Sequence, residues 1–216
     1  YFYMGNIEKS LEIYSNAIII SKKMGDNYRI ALLYNLYGNI LFNKGEMASS
    51  IKYYNISKHL TERTNENALK IKIIKNILLV YIYQSKEEEY NKLLEEIKIL
   101  GKSINNEEDK MPLMFVEGLR MYFSDKFEET YLHFNEVLNK FEKFNLLEMQ
   151  IPMIIYKSEC LLYLYKNADA LVAIEKANEL INKYGFFLYK DECEYVKLLI
   201  NKNKISDDIL KSNLND

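Results

Sequence analysis

Glycine and proline residues of this chain recur at a fixed interval of forty residues or a multiple of it. Three pairs share this spacing: Gly5 and Gly45, Gly38 and Gly118 at twice the interval, and Pro112 and Pro152. Self-similarity at one period is the signature of a repeat protein. Each unit of such a chain is a small supersecondary structure whose apolar face is covered by its neighbours.

Aligning the chain at this period places residues of similar size in shared columns. One column holds mostly small residues: Ser10, Ser50, Tyr90, Thr130 and Ala170. The column four positions later is bulky: Tyr14, Tyr54, Leu94, Phe134 and Ile174. A second, mostly small column lies in the preceding helix: Gly38, Leu78, Gly118 and Ser158. Because residues three or four apart share one helix face, the columns predict two antiparallel helices per unit, packed closely where small side chains meet bulky ones.

The composition agrees with long helices and excludes several classes of function. Seven glycines and two prolines in 216 residues are few for a turn-rich β fold. We expect both prolines in the first turn of a helix, where proline costs no hydrogen bond. A net charge of −2 argues against nucleic-acid binding by this segment. The longest apolar runs are too short to span a membrane, and no secretory signal opens the chain. A cytoplasmic protein without membrane association is predicted.

No motif for catalysis or for a cofactor is present. Cys160 and Cys193 form no CxxC pair, and His59 and His133 are the only histidines, so a Cys/His metal site is not expected. The sequence contains no glycine-rich phosphate loop, no HExxH and no GxSxG. The chain is therefore predicted not to be an enzyme and to hold no cofactor.

The repeat register divides the chain into an array and a tail. We expect a helical repeat array over residues 1–200, with about four to five repeats and a C-terminal capping helix. The polar stretch Gly101–Lys110 is predicted to be a loosened connection within that array. Residues 201–216 are predicted to be a polar tail with one short helix. The chain opens at Tyr1 as if partway through a helix, so we expect the array to be truncated at its N-terminus.

The pattern resembles the tetratricopeptide repeat (TPR), which has a small residue in helix A, a glycine at the turn and small–aromatic–small in helix B. Six residues carry the match best: Tyr34, Gly38, Gly45, Ser50, Tyr54 and Ser57. The usual unit has about 34 residues, so a unit of forty is a long variant. The resemblance implies an all-α, right-handed superhelical solenoid of antiparallel helix pairs.

In this family the ligand lies in a concave groove lined by one stripe of each A helix. Carried over residue by residue, the resemblance implies nine ligand-binding residues: Asn35, Asn39, Asn43, Lys72, Lys75, Tyr83, Phe115, Tyr122 and Glu159. Asn35 and Asn39 stand one helical turn apart, and each amide offers a donor and an acceptor to a peptide backbone. Lys72 and Lys75 could hold a carboxylate. The alternative is that the asparagines occupy an exposed face by chance and that the apolar groove positions are core.

The stretch SKKMGDNYRIALLYNLYGNILF is similar to the helical repeats of Gram-positive peptide-pheromone receptors of the Rap and PlcR type. This likeness implies the peptide-binding sensor domain of a larger cytoplasmic bacterial regulator, whose output domain would precede Tyr1. The alternative is a protein–protein interaction scaffold or a self-association domain with no small ligand. The expected partner is thus a peptide, another protein or a second copy of the chain.

Overall fold

The computed structural model describes residues 1–62, 66–102 and 106–213, with side chains as far as residue 203. Within these ranges the chain forms ten α-helices and no strand, which confirms the predicted all-α class. The helices are α1 (Ile7–Met24), α2 (Asn27–Asn43), α3 (Met47–Glu62), α4 (Asn67–Tyr83), α5 (Glu87–Lys102), α6 (Met111–Tyr122), α7 (Phe127–Lys143), α8 (Leu147–Tyr163), α9 (Asn167–Tyr184) and α10 (Lys190–Asn213). None of the described helices is long and apolar enough to cross a membrane.

The first residues of the helices follow the period seen in the sequence. The odd-numbered helices, which we call B helices, begin at residues 7, 47, 87, 127 and 167. Three of the even-numbered helices, which we call A helices, begin at residues 27, 67 and 147. In the fourth repeat a 3₁₀ turn, Glu108–Lys110, precedes α6 and delays its start to Met111. The loosened connection predicted at Gly101–Lys110 therefore coincides with a local departure from the period; its residues 103–105 lie outside the described ranges.

Left-handed backbone conformations recur along the chain at intervals of twenty residues or a multiple of twenty. Positive φ angles occur at Gly5, Gly25, Gly45, Ser85, Asp125, Asn145, Tyr165 and Gly185. At the end of α1, Gly25 has a φ of 65°, and its N–H donates to the carbonyl of Lys22. Such a turn satisfies the last carbonyls of a helix. Since a β-carbon disfavours this conformation, the four non-glycine positions carry local strain.

The chain divides into two compact units, with the boundary inside α6. Unit 1 contains Tyr1–Phe2 and Asn6–Val116, and unit 2 contains Tyr3–Gly5 and the chain from Glu117 onward. In unit 1, α4 is buried on two sides. One cluster joins α4 to α2 and α3: Ala31, Tyr54, Leu69, Ile73, Ile77 and Val80. The other joins it to α5 and α6: Ile71, Ile74, Leu78, Tyr90, Ile97 and Val116.

The predicted close approach of small and bulky columns is confirmed. Gly38 on α2 lies against the ring of Tyr54 on α3, and a β-carbon at Gly38 would collide with that ring. Gly118 on α6 faces Phe134 on α7 in the same way. Tyr54 and Phe134 are 1% and 0% exposed, so the space left by each glycine is filled by an aromatic ring.

One of the two prolines is not where the sequence placed it. Pro112 is the second residue of α6, as predicted, but Pro152 lies inside α8. Proline has no N–H, so the carbonyl four residues earlier in a helix loses its usual donor. That carbonyl belongs to Glu148, and the Tyr189 hydroxyl donates to its oxygen at 3.0 Å. A side chain from the segment before α10 thus replaces the missing helical bond.

The two ends of the chain also differ from expectation. Residues 2–5 form a turn before α1 rather than the end of a helix. The segment predicted as a tail from residue 201 continues α10, which is a single helix over Lys190–Asn213. Within unit 2, α10 packs against α8 and α9. It therefore occupies the place of one more A helix.

Candidate functional site

A network of three asparagines lies on the A helices of unit 1. Asn76 on α4 donates both amide hydrogens to α2, one to Oδ1 of Asn35 and one to Oδ1 of Asn39, each at 2.9 Å. The Tyr54 hydroxyl also donates to Oδ1 of Asn39, at 2.9 Å. We call Asn35, Asn39 and Asn76 the asparagine triad. Two of its members are predicted site residues; the third joins them across the helix pair.

The internal bonds fix the orientation of each amide and leave three polar atoms for another molecule. Neither Nδ2 of Asn35 nor Nδ2 of Asn39 donates to any described residue, and Oδ1 of Asn76 accepts from none. None of the three atoms is sealed from water. The triad thus presents two donors and one acceptor. Peptide groups offer the matching carbonyl and N–H.

Asn76 was missed by sequence reasoning because its surroundings in the chain are apolar. It follows Lys75 and precedes Ile77, and most of the residues around it on α4 are buried and apolar. Asn76 is itself only 6% exposed. A buried amide needs hydrogen-bond partners, so a lone asparagine inside an apolar helix was the available signal. Its partners on α2 could be identified only from the fold.

The remaining site residues predicted for unit 1 differ in their accessibility. Asn43 is exposed, and its Nδ2 donates at 2.9 Å to the backbone oxygen of Asn39. Lys72 is exposed and Lys75 is half-buried. Lys72 precedes Asn76 by one helical turn, so the two side chains share a face of α4. Tyr83 is 41% exposed.

An aromatic pair follows the triad towards the C-terminal ends of α2 and α4. The ring of Tyr83 meets that of Phe42 edge-on, with centroids 5.4 Å apart. Edge-to-face contacts of this kind are favourable and hold both rings in place. The rings offer a fixed apolar surface in the same unit as the triad.

The predicted groove residue Phe115 is part of the core. Its ring is 4% exposed, and Ile155, which holds the equivalent position forty residues later, is 3% exposed. Both residues therefore agree with the alternative given above, in which the apolar groove positions belong to the core. We therefore leave Phe115 out of the candidate site.

Unit 2 brings together the last two predicted residues. The Tyr122 hydroxyl, at the end of α6, donates to Oε2 of Glu159 on α8 at 2.5 Å. Burial raises the pKa of Tyr122, and the hydrogen bond to Glu159 raises it further, so the phenol keeps its proton. Burial also raises the pKa of Glu159, although the bond from Tyr122 partly offsets this effect.

Aromatic rings surround this pair. Tyr122 packs against Tyr156 with centroids 4.8 Å apart and meets Phe123 edge-on at 5.2 Å. Phe127 stacks on Tyr163 at 4.1 Å. Tyr163 is 57% exposed, so part of this aromatic surface is open to water. No group of three or more His, Cys, Asp or Glu side chains suited to a metal ion occurs in the part of the chain that the structure describes.

Comparisons with known proteins find similar solved structures but no match to a family model or a curated protein. Among solved structures, the chain is similar to a crystal structure of nearly identical TPR-like repeats, from a kinesin-light-chain-type protein of Podosopora anserina. The two share 10% sequence identity with a TM-score of 0.47, and the match covers 83% of this chain and 89% of the other.

Proposed function

We propose that this chain is a non-catalytic TPR-type binding module that holds an extended peptide segment on the A helices of unit 1. In this proposal it is the sensor domain of a larger cytoplasmic bacterial regulator. The observation that carries the proposal is the asparagine triad. Two donors and one acceptor face outward, and each amide is oriented by bonds to its neighbours.

Preorganised amides favour binding because little side-chain freedom is lost when the ligand arrives. The amides of the triad would contact the backbone of the peptide, which is the same in every sequence. The triad alone would therefore accept many peptides. Selectivity would come from the flanking residues. Lys72 would attract a carboxylate, and the ring pair of Phe42 and Tyr83 would accept an apolar side chain.

The proposal can be tested by selecting peptides from a displayed random library on the unmodified chain. The dissociation constant of the best peptide would then be measured for three proteins: the unmodified chain, Asn35→Ala and Asn55→Ala. Asn55 is exposed on α3 and belongs to the same unit, which makes it a matched control. We expect binding to Asn35→Ala to be weaker by about fivefold or more, because one oriented donor is lost.

Two results would count against the proposal. If Asn35→Ala and Asn55→Ala bind the selected peptide as tightly as the unmodified chain, the triad is not the site. If the library yields no peptide, the chain is better described by the alternative, a scaffold or self-association domain without a small ligand. Sedimentation of the purified chain would then show whether a second copy is the partner.

A further inference from the structure

The side chain of Lys157 on α8 is half-buried and has no carboxylate in contact with it. Its amine nitrogen, Nζ, donates to Oδ1 of Asn135 on α7 at 2.8 Å. The same nitrogen lies 5.6 Å from the centre of the Tyr131 ring. Among the described residues, Lys157 forms no ion pair with an Asp or Glu. The amine is therefore held by two neutral groups of unit 2.

Two lysines of unit 1 with little exposure have different surroundings. The side chains of Lys58 and Lys70 are each 18% exposed, and their nitrogens lie 2.6 and 3.1 Å from the carboxylate oxygens of Glu96. A carboxylate compensates a cation that has lost part of its hydration. The amide oxygen and the ring beside Lys157 compensate it less, so the neutral amine is favoured more at Lys157 than at Lys58 or Lys70.

The charges near Lys157 bear on the same balance. Burial lowers the pKa of the Lys157 amine, and the positive charge of Lys176 on α9 lowers it further. Asp169 and Glu142 act in the opposite direction, but the pKa remains below its ordinary value of 10.5. Glu142 is itself paired with Lys176. A lysine becomes a nucleophile when it is desolvated or stands next to another cation, because only the unprotonated amine reacts.

A second amine lies next to the same ring. Nζ of Lys166, the N-cap residue of α9, is 5.3 Å from the centre of the Tyr131 ring. Lys166 forms no ion pair with any described carboxylate. Its positive charge is therefore available to a molecule that approaches Lys157. Such a charge raises the local concentration of an anionic reagent.

We propose that Lys157 is a site of covalent acylation by an acyl phosphate. The unprotonated amine attacks the carbonyl carbon, and the new C–N bond forms as the C–O bond to phosphate breaks. The departing phosphate takes the electron pair of that bond and the proton of the amine. Lys166 attracts the donor through its phosphate. The hydrogen bond to Asn135 uses an N–H of Lys157 and leaves the lone pair of the nitrogen free to react.

The proposal is tested by the rate at which acetyl phosphate acetylates each lysine of the purified chain. The products would be cleaved after glutamate, where lysine modification does not interfere, and quantified by mass spectrometry. Lys183 is a matched control because it also lies over a tyrosine ring but is exposed. We expect Lys157 to react about fivefold faster than Lys183 or more. Equal rates at the two lysines would overturn the proposal.

A variant that differs by one polar group tests the role of the neutral surroundings. Asn135→Asp places a carboxylate against the amine and favours the ammonium, so the rate at Lys157 should fall to that of Lys183. Asn139→Asp adds the same charge at an exposed position of α7 and should leave the rate unchanged. Equal slowing by both variants, or by neither, would contradict the proposal.

The attraction of the donor is tested by its charge. Lys166→Gln should slow acetylation of Lys157 by acetyl phosphate about threefold or more, and it should not slow acetylation by phenyl acetate, a neutral donor. Equal slowing with both donors would show that Lys166 does not act on the phosphate. All of these residues lie in unit 2, so the outcome is independent of the asparagine triad in unit 1.

Discussion

The hydroxyl of Tyr189 donates to the backbone oxygen of Glu148 at 3.0 Å. This bond satisfies the carbonyl that Pro152, four residues later in α8, leaves without its helical donor. A buried carbonyl without a partner is costly. The proline is thus tolerated inside the helix because a side chain from another element supplies the donor.

Tyr189→Phe should lower the free energy of unfolding by about 1–2 kcal/mol, because it removes the donor and keeps the ring. Urea unfolding would measure this, with Tyr195→Phe on the exposed face of α10 as the control. The loss should shrink in a Pro152→Ala background, where the backbone N–H of residue 152 can donate instead. A loss of equal size in both backgrounds would show that the hydroxyl does not compensate for the proline.

Gly38→Ala should destabilise unit 1 by about 1–3 kcal/mol, since the added methyl group must displace the buried ring of Tyr54. Gly101→Ala is the matched control. Its methyl group would meet only the end of the Leu113 side chain, at 3.4 Å, so little change is expected. Equal melting temperatures for the two variants would mean that the small column does not set the helix spacing.

Asn39→Ala should affect folding as well as binding. Oδ1 of Asn39 accepts from Tyr54 and from Asn76, and both donors are on residues less than 10% exposed. Removing the shared acceptor should lower the free energy of unfolding by about 1–3 kcal/mol. Asn35→Ala removes one acceptor of Asn76 and should cost less. Thermal melts of both variants would test this order, and the reverse order would contradict the network.

Tyr165→Gly should raise the free energy of unfolding by about 1 kcal/mol, because Tyr165 has a φ of 59° that only glycine adopts readily. The side chain is 91% exposed, so few contacts are lost. Tyr165→Ala retains the β-carbon and should bring no such gain. If alanine stabilises the chain as much as glycine does, the strain is not the cause.

Glu192 and Glu96 should respond to pH with opposite signs. Burial raises the pKa of Glu192 above its ordinary value of 4.5. A group of this kind contributes stability that is fully present below its unfolded pKa and is lost as pH rises through the folded pKa. Glu192→Gln should therefore increase the free energy of unfolding at pH 7 more than at pH 4.

Burial alone would raise the pKa of Glu96. The hydrogen bonds and charges of Lys58 and Lys70 lower it by more than burial raises it, so the pKa lies below its ordinary value of 4.5. Its stabilisation is present above the unfolded pKa and is lost as pH falls through the folded pKa. Glu96→Gln should thus destabilise the chain at pH 7 and do so less in acid. Urea titrations at several pH values would test both carboxylates, with Glu179→Gln as the control.

The fold could be predicted well from the sequence because small and bulky side chains recur at equivalent positions every forty residues. Spacing alone assigned Gly38 to a small column and Tyr54 to a bulky one, and the two residues are in contact. Both prolines were expected in the first turn of a helix, which is right for Pro112 but wrong for Pro152, because α6 departs from the period. A 3₁₀ turn shifts the start of α6 by four residues relative to the period, whereas α8 begins in register.

The candidate site was less predictable because hydrogen bonds between helices leave no periodic signal. Asn35 and Asn39 were found through the resemblance to a family, and Asn76 was not found at all.

A chain whose left-handed turn positions recur at intervals of twenty residues or a multiple of twenty can gain or lose length only in certain steps. Inserting or deleting forty residues at a turn adds or removes a whole helix pair and keeps each glycine opposite its ring. A step of twenty would put a B helix in the place of an A helix, so that the ring of Tyr54 would no longer face Gly38. Duplication of one helix pair should therefore yield a longer protein that folds without redesign of its neighbours.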